Sequence, residues 1–161
     1  LASAVISTTR MEAGSAYNVI PGTARLSGTV RTLAPETRDT VEAKMNAVVS
    51  HIASAFGAAA KLDFRRGYPV TVNDPEHTRF ACAIAQEIVG TENVNPDLVP
   101  MMGGEDFAFM LERRPGAYVF IGNGQTSGLH TDTYDFNDEI IPAGVSYLVR
   151  LGEAAASGRS R

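Results

Sequence analysis

Alternating polar and apolar positions run through the first part of the chain and predict β-strands. Residues 2–14, "ASAVISTTRMEAG", are rich in β-branched side chains, and residues 23–32, "TARLSGTVRT", alternate between the two kinds of side chain. Residues 60–66, "AKLDFRR", alternate again. Residues 35–56 place apolar side chains three or four positions apart, as in an amphipathic helix. The pattern predicts a small sheet covered by one helix.

The rest of the chain alternates predicted helices with predicted strands. A helix should end at Gly90, a short strand should follow around Val99, and residues 103–114 predict a tight turn into another helix. Residues 117–124, "AYVFIGNG", predict a buried strand, and residues 142–157 predict a closing helix. The alternation resembles part of an α/β sandwich. We therefore expect an α/β chain of mixed α+β character.

A domain boundary is expected near residues 67–78, "GYPVTVNDPEHT", where two prolines and an Asn-Asp pair interrupt the pattern. Asp74 as N-cap and Pro75 at the first helical position should start a helix there. The prediction is a first domain over residues 1–68 and a second over residues 69–161.

Composition narrows the classes of function. Apolar residues make up 44% and charged residues 20% of the 161 positions, which is typical of a soluble globular protein, and no apolar run is long enough for a membrane helix. A net charge of -4 without a basic stripe argues against a nucleic-acid partner. The chain opens without an initiator methionine and without the basic start of a signal peptide, and we expect a piece cut from a longer protein. The expected compartment of that protein is the cytoplasm, which the opening residues themselves do not establish.

His130 is the first candidate for chemistry, in a turn-rich loop with carboxylates downstream. A neutral imidazole is the commonest protein ligand of Zn²⁺, but a lone histidine beside Asp132 is more often a hydrogen-bonded loop residue. His51 and His77 are expected to be solvated, and Cys82 to be buried and inert. The residues alone leave both interpretations of His130 open.

Two further groups are candidates for binding. Gly103 and Gly104 precede Glu105 at a predicted helix start, where glycines permit a turn or let a ligand approach the backbone. Asn18 and Arg31 lie in the segment of the second strand, and an amide with a guanidinium fork suits a ligand carboxylate. Alone, each group also fits a purely structural role.

Four motifs in order carry a family resemblance: "AGSAYNVIPGTARLSGTVRT", "MGGEDFAFML", "PGAYVFIGNG" and "LHTDTYDFNDE". Together they resemble the second half of the hippurate hydrolase and N-acyl-amino-acid amidohydrolase family, which includes the plant auxin-conjugate hydrolases. The resemblance implies a catalytic α/β domain with a pair of divalent metals, zinc or manganese, and an inserted ferredoxin-like lid that forms a homodimer. Residues 1–68 would be most of the lid, and residues 69–161 the C-terminal part of the catalytic domain.

The resemblance also implies roles for particular residues. His130 matches the last metal-binding histidine of the family, and Asn18 and Arg31 match the lid pair that grips the substrate carboxylate. Gly103 and Gly104 match the turn whose backbone lies along the substrate. Glu105, the sixth residue of this set, is the acidic residue that follows the turn, without an assigned role.

The other metal ligands of the family and its general base have no counterpart in this chain. The expected function is therefore that of a fragment of a metal-dependent amidohydrolase acting on N-acyl amino acids, with the isolated chain inactive and a weak metal binder. The alternative is a non-catalytic dimerisation or ligand-binding module.

Overall fold

A computed structural model describes residues 3–158 of the chain as a mixed α+β structure. Within that range it contains one two-stranded sheet, four α-helices and two short 3₁₀ helices, at Thr91–Asn93 and Asp138–Ile140. The strands and α-helices, in chain order, are β1 (Ala4–Ala13), β2 (Ala24–Thr32), α1 (Pro35–Ala55), α2 (Pro75–Val89), α3 (Phe107–Leu111) and α4 (Ile141–Ala156).

The two predicted N-terminal strands are confirmed as an antiparallel hairpin. Ala4 pairs with Thr32 at its open end, and Ala13 pairs with Ala24 beside the connecting loop. The register shifts by one residue between Thr8 and Arg10, as in a β-bulge. Gly28 lies opposite this irregularity, where a Cβ atom would overlap the backbone carbonyl of Ser7. The hairpin therefore requires glycine at this position.

The amphipathic pattern that follows β2 is confirmed as helix α1, which contacts both strands. Pro35 occupies its first turn, where the missing N–H costs nothing. The helix ends just before Gly57, which has a φ of 68° and donates its N–H to the carbonyl of Ser54 at 3.0 Å. A left-handed residue at this place is a common helix stop, and glycine adopts it without strain.

Helix α2 begins as its sequence predicts. The Asp74 carboxylate accepts hydrogen bonds from the backbone N–H groups of Glu76 and His77, each at 3.0 Å. Its apolar face packs against α4, and buried Ile84, Tyr147 and Ala154 form the centre of this contact. Cys82 is only half-buried, so the expectation of a buried thiol is wrong.

Three predicted strands are not formed, because a strand requires a ladder of hydrogen bonds to a neighbour, which an alternating sequence does not supply. Residues 60–66, the region around Val99 and residues 117–124 all lack ladder pairing in the described part of the chain. The third segment was also expected to be buried, yet Val119, Phe120 and Ile121 expose 41%, 63% and 50% of their surface.

The side chain of Asn73 supplies residues 117–124 with hydrogen bonds of the kind that a neighbouring strand would supply. Asn73 accepts a hydrogen bond from the N–H of Tyr118 at 2.8 Å and donates one to its carbonyl at 2.9 Å. The N–H of Asp74 donates to the carbonyl of Gly116 at 2.9 Å. These bonds attach the segment to the start of α2 without a β-ladder.

The chain divides into two compact units. The first extends to Val70 and includes the returning segment Pro100–Ala108, whereas the second comprises Thr71–Val99 and the chain from Phe109 onward. The sequence placed Pro100–Ala108 with the second domain, but its contacts are with the hairpin unit. Among the helices of residues 3–158, none is long and apolar enough to cross a membrane.

Candidate functional site

Arg31 and Gly104 lie together in the first unit. Arg31 is the penultimate residue of β2, where the ladder pairs it with Val5 at the open end of the hairpin. A Cβ atom placed on Gly104 would lie 3.1 Å from Nη1 of Arg31 and 3.4 Å from Cδ2 of Tyr68. The fold thus brings two of the predicted binding residues into contact, with an aromatic ring beside them.

Arg31 is exposed and has no carboxylate partner among the residues that the structure describes. Within residues 3–158, Arg31 forms neither an ion pair nor a side-chain hydrogen bond. Arg66, in the same unit, instead pairs with Asp39 and Glu42. The fork of Arg31 is therefore available for an anionic ligand, since a guanidinium binds a carboxylate through two parallel hydrogen bonds.

Gly103 and Glu105 flank this position with different environments. No atom lies within 4 Å of the point where a Cβ on Gly103 would be. Glu105 is half-buried, its Oε1 accepts from the N–H of Phe107 at 3.2 Å, and its carbonyl accepts from Ala108 at 3.3 Å. Glu105 thus caps the start of α3, which gives it a structural contact in addition to any ligand role.

Asn18 lies at the other end of the hairpin from Arg31. It belongs to the loop between β1 and β2, next to the fully exposed Tyr17, whereas Arg31 is seven positions beyond Ala24, the first residue of β2. At about 3.4 Å per residue, that separation is more than about 20 Å along the strand. One chain therefore cannot place Asn18 and Arg31 on the same carboxylate.

His130 lies in an ordered loop of the second unit. Its φ of 65° makes it the one non-glycine residue with a left-handed backbone among residues 3–158, and its side chain is exposed. A left-handed backbone is uncommon for residues other than glycine and costs energy, although histidine is among the types that adopt it more often. Strained residues of this kind are frequent at functional sites.

Asn123 joins the two ends of the His130 loop. Its Nδ2 donates to the carbonyl of Asp135 at 2.8 Å, and its Oδ1 accepts from the N–H of Asn137 at 2.8 Å. Thr126 also donates to the carbonyl of Asp135, at 3.1 Å. Neither Asn123 nor Tyr68 was predicted from the sequence as a site residue. Gly122 and Gly124, on either side of Asn123, were the only sequence signal of a structured turn there.

The described residues do not make a metal centre by themselves. No group of three or more histidine, cysteine, aspartate or glutamate side chains is arranged to hold a metal ion in residues 3–158. Catalytic zinc sites use three protein ligands, so His130 fits as a single imidazole donor and not as a whole site.

Helix α2 and its contact with α4 contain two groups with a shifted pKa. The pKa of Asp74 is below its ordinary value, first because the backbone N–H of His77 donates to it and then because the His77 ring does, at 2.7 Å. Burial raises the pKa of the Tyr147 hydroxyl in the α2–α4 contact. Both shifts follow from helix capping and packing.

Comparison with known proteins defines the class. The family model described as peptidase family M20/M25/M40 matches residues 2–154. The chain is 34% identical to the Bacillus subtilis YXEP protein, described as a dinuclear metal binding peptidase from the M20 family, with a TM-score of 0.73 over 92% of this chain and 40% of that one. The chain therefore belongs to peptidase family M20/M25/M40.

Two curated relatives are similar over almost the whole chain. Hippurate hydrolase from Campylobacter jejuni is 36% identical over 92% of this chain and 39% of its own length. N-acetylcysteine deacetylase from Bacillus subtilis is 34% identical over 94% of this chain and 39% of its own length. The chain thus spans about two-fifths of the length of these relatives.

Proposed function

We propose that this chain is part of a metal-dependent amidohydrolase that hydrolyses the amide bond of N-acyl amino acids. Family membership supports the reaction class, and the two relatives, named for hippurate and N-acetylcysteine, share an N-acyl amino acid as substrate. The observation that carries the proposal is the guanidinium of Arg31, which lies against Gly104 without an acidic partner in residues 3–158. It is suited to hold the free carboxylate of such a substrate.

The chain's own residues have distinct tasks in this proposal. Arg31 binds the carboxylate and so fixes the distance of the scissile amide from the reacting centre. Gly103 and Gly104 offer backbone beside it, and Asn18 contacts a different part of the ligand or a different molecule. His130 supplies one ligand to a divalent metal pair, zinc or manganese, and such metals supply an activated water for hydrolysis.

The two units receive separate roles. The hairpin unit acts as the lid and dimerisation domain and forms a homodimer, and the second unit is the C-terminal part of the catalytic domain of a cytoplasmic enzyme. A non-catalytic binding or dimerisation module is the second candidate. The lack of a three-ligand metal group in residues 3–158 favours that alternative for the chain on its own.

Hydrolysis by the full-length protein decides between the candidates. The protein should release amino acids from hippurate or N-acetylcysteine, lose activity on chelation, and regain it with Zn²⁺ or Mn²⁺. His130→Ala should lower its metal content, whereas His51→Ala, at an exposed position on α1, serves as the control. Absence of hydrolysis with both substrates in the metal-loaded protein would refute the enzyme and leave the binding module.

A further inference from the structure

We propose that Gly104 and Tyr68 position the guanidinium of Arg31, so that carboxylate binding requires the absence of a side chain at position 104. The inference rests on the proposed carboxylate-binding role of Arg31. It gives Gly104 a positioning role in that site. It also adds Tyr68, which the sequence did not predict as a binding residue.

The spacing at Gly104 carries the argument. Nη1 of Arg31 lies 3.1 Å, and Cδ2 of Tyr68 lies 3.4 Å, from the point that a Cβ on Gly104 would occupy. A contact of 3.1 Å is tighter than nearly all real Cβ contacts, so a methyl group at position 104 would push the guanidinium away by a few tenths of an ångström.

Nothing else among residues 3–158 fixes the Arg31 head group. Its backbone is held in the β1–β2 ladder opposite Val5, but its side chain makes no ion pair or hydrogen bond there. A long side chain of this kind loses much conformational freedom when it binds a ligand. A position beside Gly104 and near the ring of Tyr68 would reduce that loss, since aromatic rings stack favourably with guanidinium groups.

Because the Arg31 side chain makes no ion pair or hydrogen bond within residues 3–158, a change in its position can be separated from a change in the stability of the fold. The atom that a methyl group would meet first is the end of a flexible, exposed side chain, so Gly104→Ala should move Arg31 and leave the fold intact. Neither Gly67 nor Gly104 has a positive φ, so alanine is compatible with the backbone at both positions. Gly67→Ala, in the same unit and outside the proposed site, is a matched control, because no atom lies within 4 Å of its added Cβ.

The test follows the side-chain N–H resonance of Arg31 by NMR in this chain, assigned by its loss in Arg31→Lys. Hippurate should shift the resonance in the wild type and in Gly67→Ala, and hippuramide, which lacks the carboxylate, should not. In Gly104→Ala, affinity for hippurate should fall at least about tenfold, the loss expected when one charge-assisted hydrogen bond is weakened. Circular dichroism should show the same melting temperature for both alanine variants.

Tyr68 provides a second, independent arm. Tyr68→Phe keeps the ring and should bind hippurate like the wild type, whereas Tyr68→Ala should weaken binding as Gly104→Ala does. Equal hippurate affinities for Gly67→Ala and Gly104→Ala, or for Tyr68→Phe and Tyr68→Ala, overturn the positioning role while the carboxylate role of Arg31 stands. No shift of Arg31 by hippurate in the wild type overturns the carboxylate role and this inference with it.

Discussion

At the scale of single residues, the candidate site depends on the charge of Arg31 and on the absence of a side chain at Gly104. Arg31 is useful because no carboxylate in residues 3–158 neutralises it, and Gly104 because it has no side chain to occupy the space of the guanidinium. Arg66 shows the opposite case, since its ion pairs with Asp39 and Glu42 occupy its donors. The surroundings, and not the residue type, distinguish the two arginines.

Arg31→Lys in the full-length enzyme should reduce kcat/KM for substrates with a free carboxylate. Lysine keeps the charge but loses the planar fork. The loss of one charge-assisted hydrogen bond costs about 1.5–3 kcal/mol, which is roughly ten- to a hundredfold in kcat/KM. Substrates with an amidated carboxylate should be poor for the wild type and change little. Equal slowing of both substrate types would assign Arg31 to the fold of the hairpin unit.

Asp74 should make the stability of α2 depend on pH. Its pKa is lower in the folded chain than the ordinary 3.8, so its contribution is complete above that value and is lost as the pH falls through the lowered folded-state pKa. Asp74→Asn keeps an N-cap acceptor without the charge. Wild type should melt above Asp74→Asn at pH 7, and the difference should shrink progressively as the pH falls below 3.8. A difference independent of pH would contradict the assignment.

At the scale of elements, side chains substitute for missing backbone ladders. Asn73 attaches residues 117–124 to the start of α2, and Asn123 closes the loop that carries His130. In both cases one carboxamide serves a donor and an acceptor at the same time, which suits irregular segments whose backbone groups would otherwise lack partners. The candidate metal ligand thus depends on a loop that is closed by side-chain hydrogen bonds, two of them made by Asn123.

Asn123→Ala should loosen this loop without unfolding the α2–α4 contact. It removes two hydrogen bonds, each worth about 0.5–1.5 kcal/mol net, so local opening should become roughly 5- to 100-fold more frequent. Hydrogen exchange at the Asn137 amide measures the change directly. Gln125→Ala, whose side chain makes no hydrogen bond within residues 3–158, is the control in the same loop. Equal exchange rates in the two variants would show that other contacts hold the loop.

At the scale of the whole molecule, residues 3–158 contain neither a three-ligand metal site nor a large buried core. The buried hydrophobic residues in that range are few, whereas many large apolar side chains are exposed, including Ile20, Phe56 and Phe120. The same range has no three-ligand metal group. Together these observations agree with a chain that spans about two-fifths of its relatives' length.

The chain alone should therefore bind divalent metal weakly. Calorimetric titration with Zn²⁺ or Mn²⁺ should give no stoichiometric binding tighter than about micromolar, which corresponds to roughly -8 kcal/mol. The physical reason is that a single imidazole cannot supply the three ligands of a catalytic site. Micromolar binding that His130→Ala abolishes would mean that further ligands, such as Asp132 or Asp135, assemble around it.

Local signals in the sequence determined the parts of the fold that local physics controls. The hairpin strands, α1 with its proline start and glycine stop, and the Asp74 cap all follow from interactions between residues close in the chain. The ordered motifs indicated the family, which the match over residues 2–154 confirms. These features needed no knowledge of distant contacts.

Only the tertiary structure decided which distant residues meet. Residues 60–66 and 117–124 have strand-like patterns, but pairing depends on a partner elsewhere in the chain, so neither joins a ladder. Asn18 and Arg31 are close in sequence, yet the extended hairpin holds them apart. Gly104 is far from Arg31 in sequence, yet the segment Pro100–Ala108 returns to the hairpin unit and places it against the guanidinium. Periodicity reports local conformation and burial, whereas such contacts depend on how the segments pack.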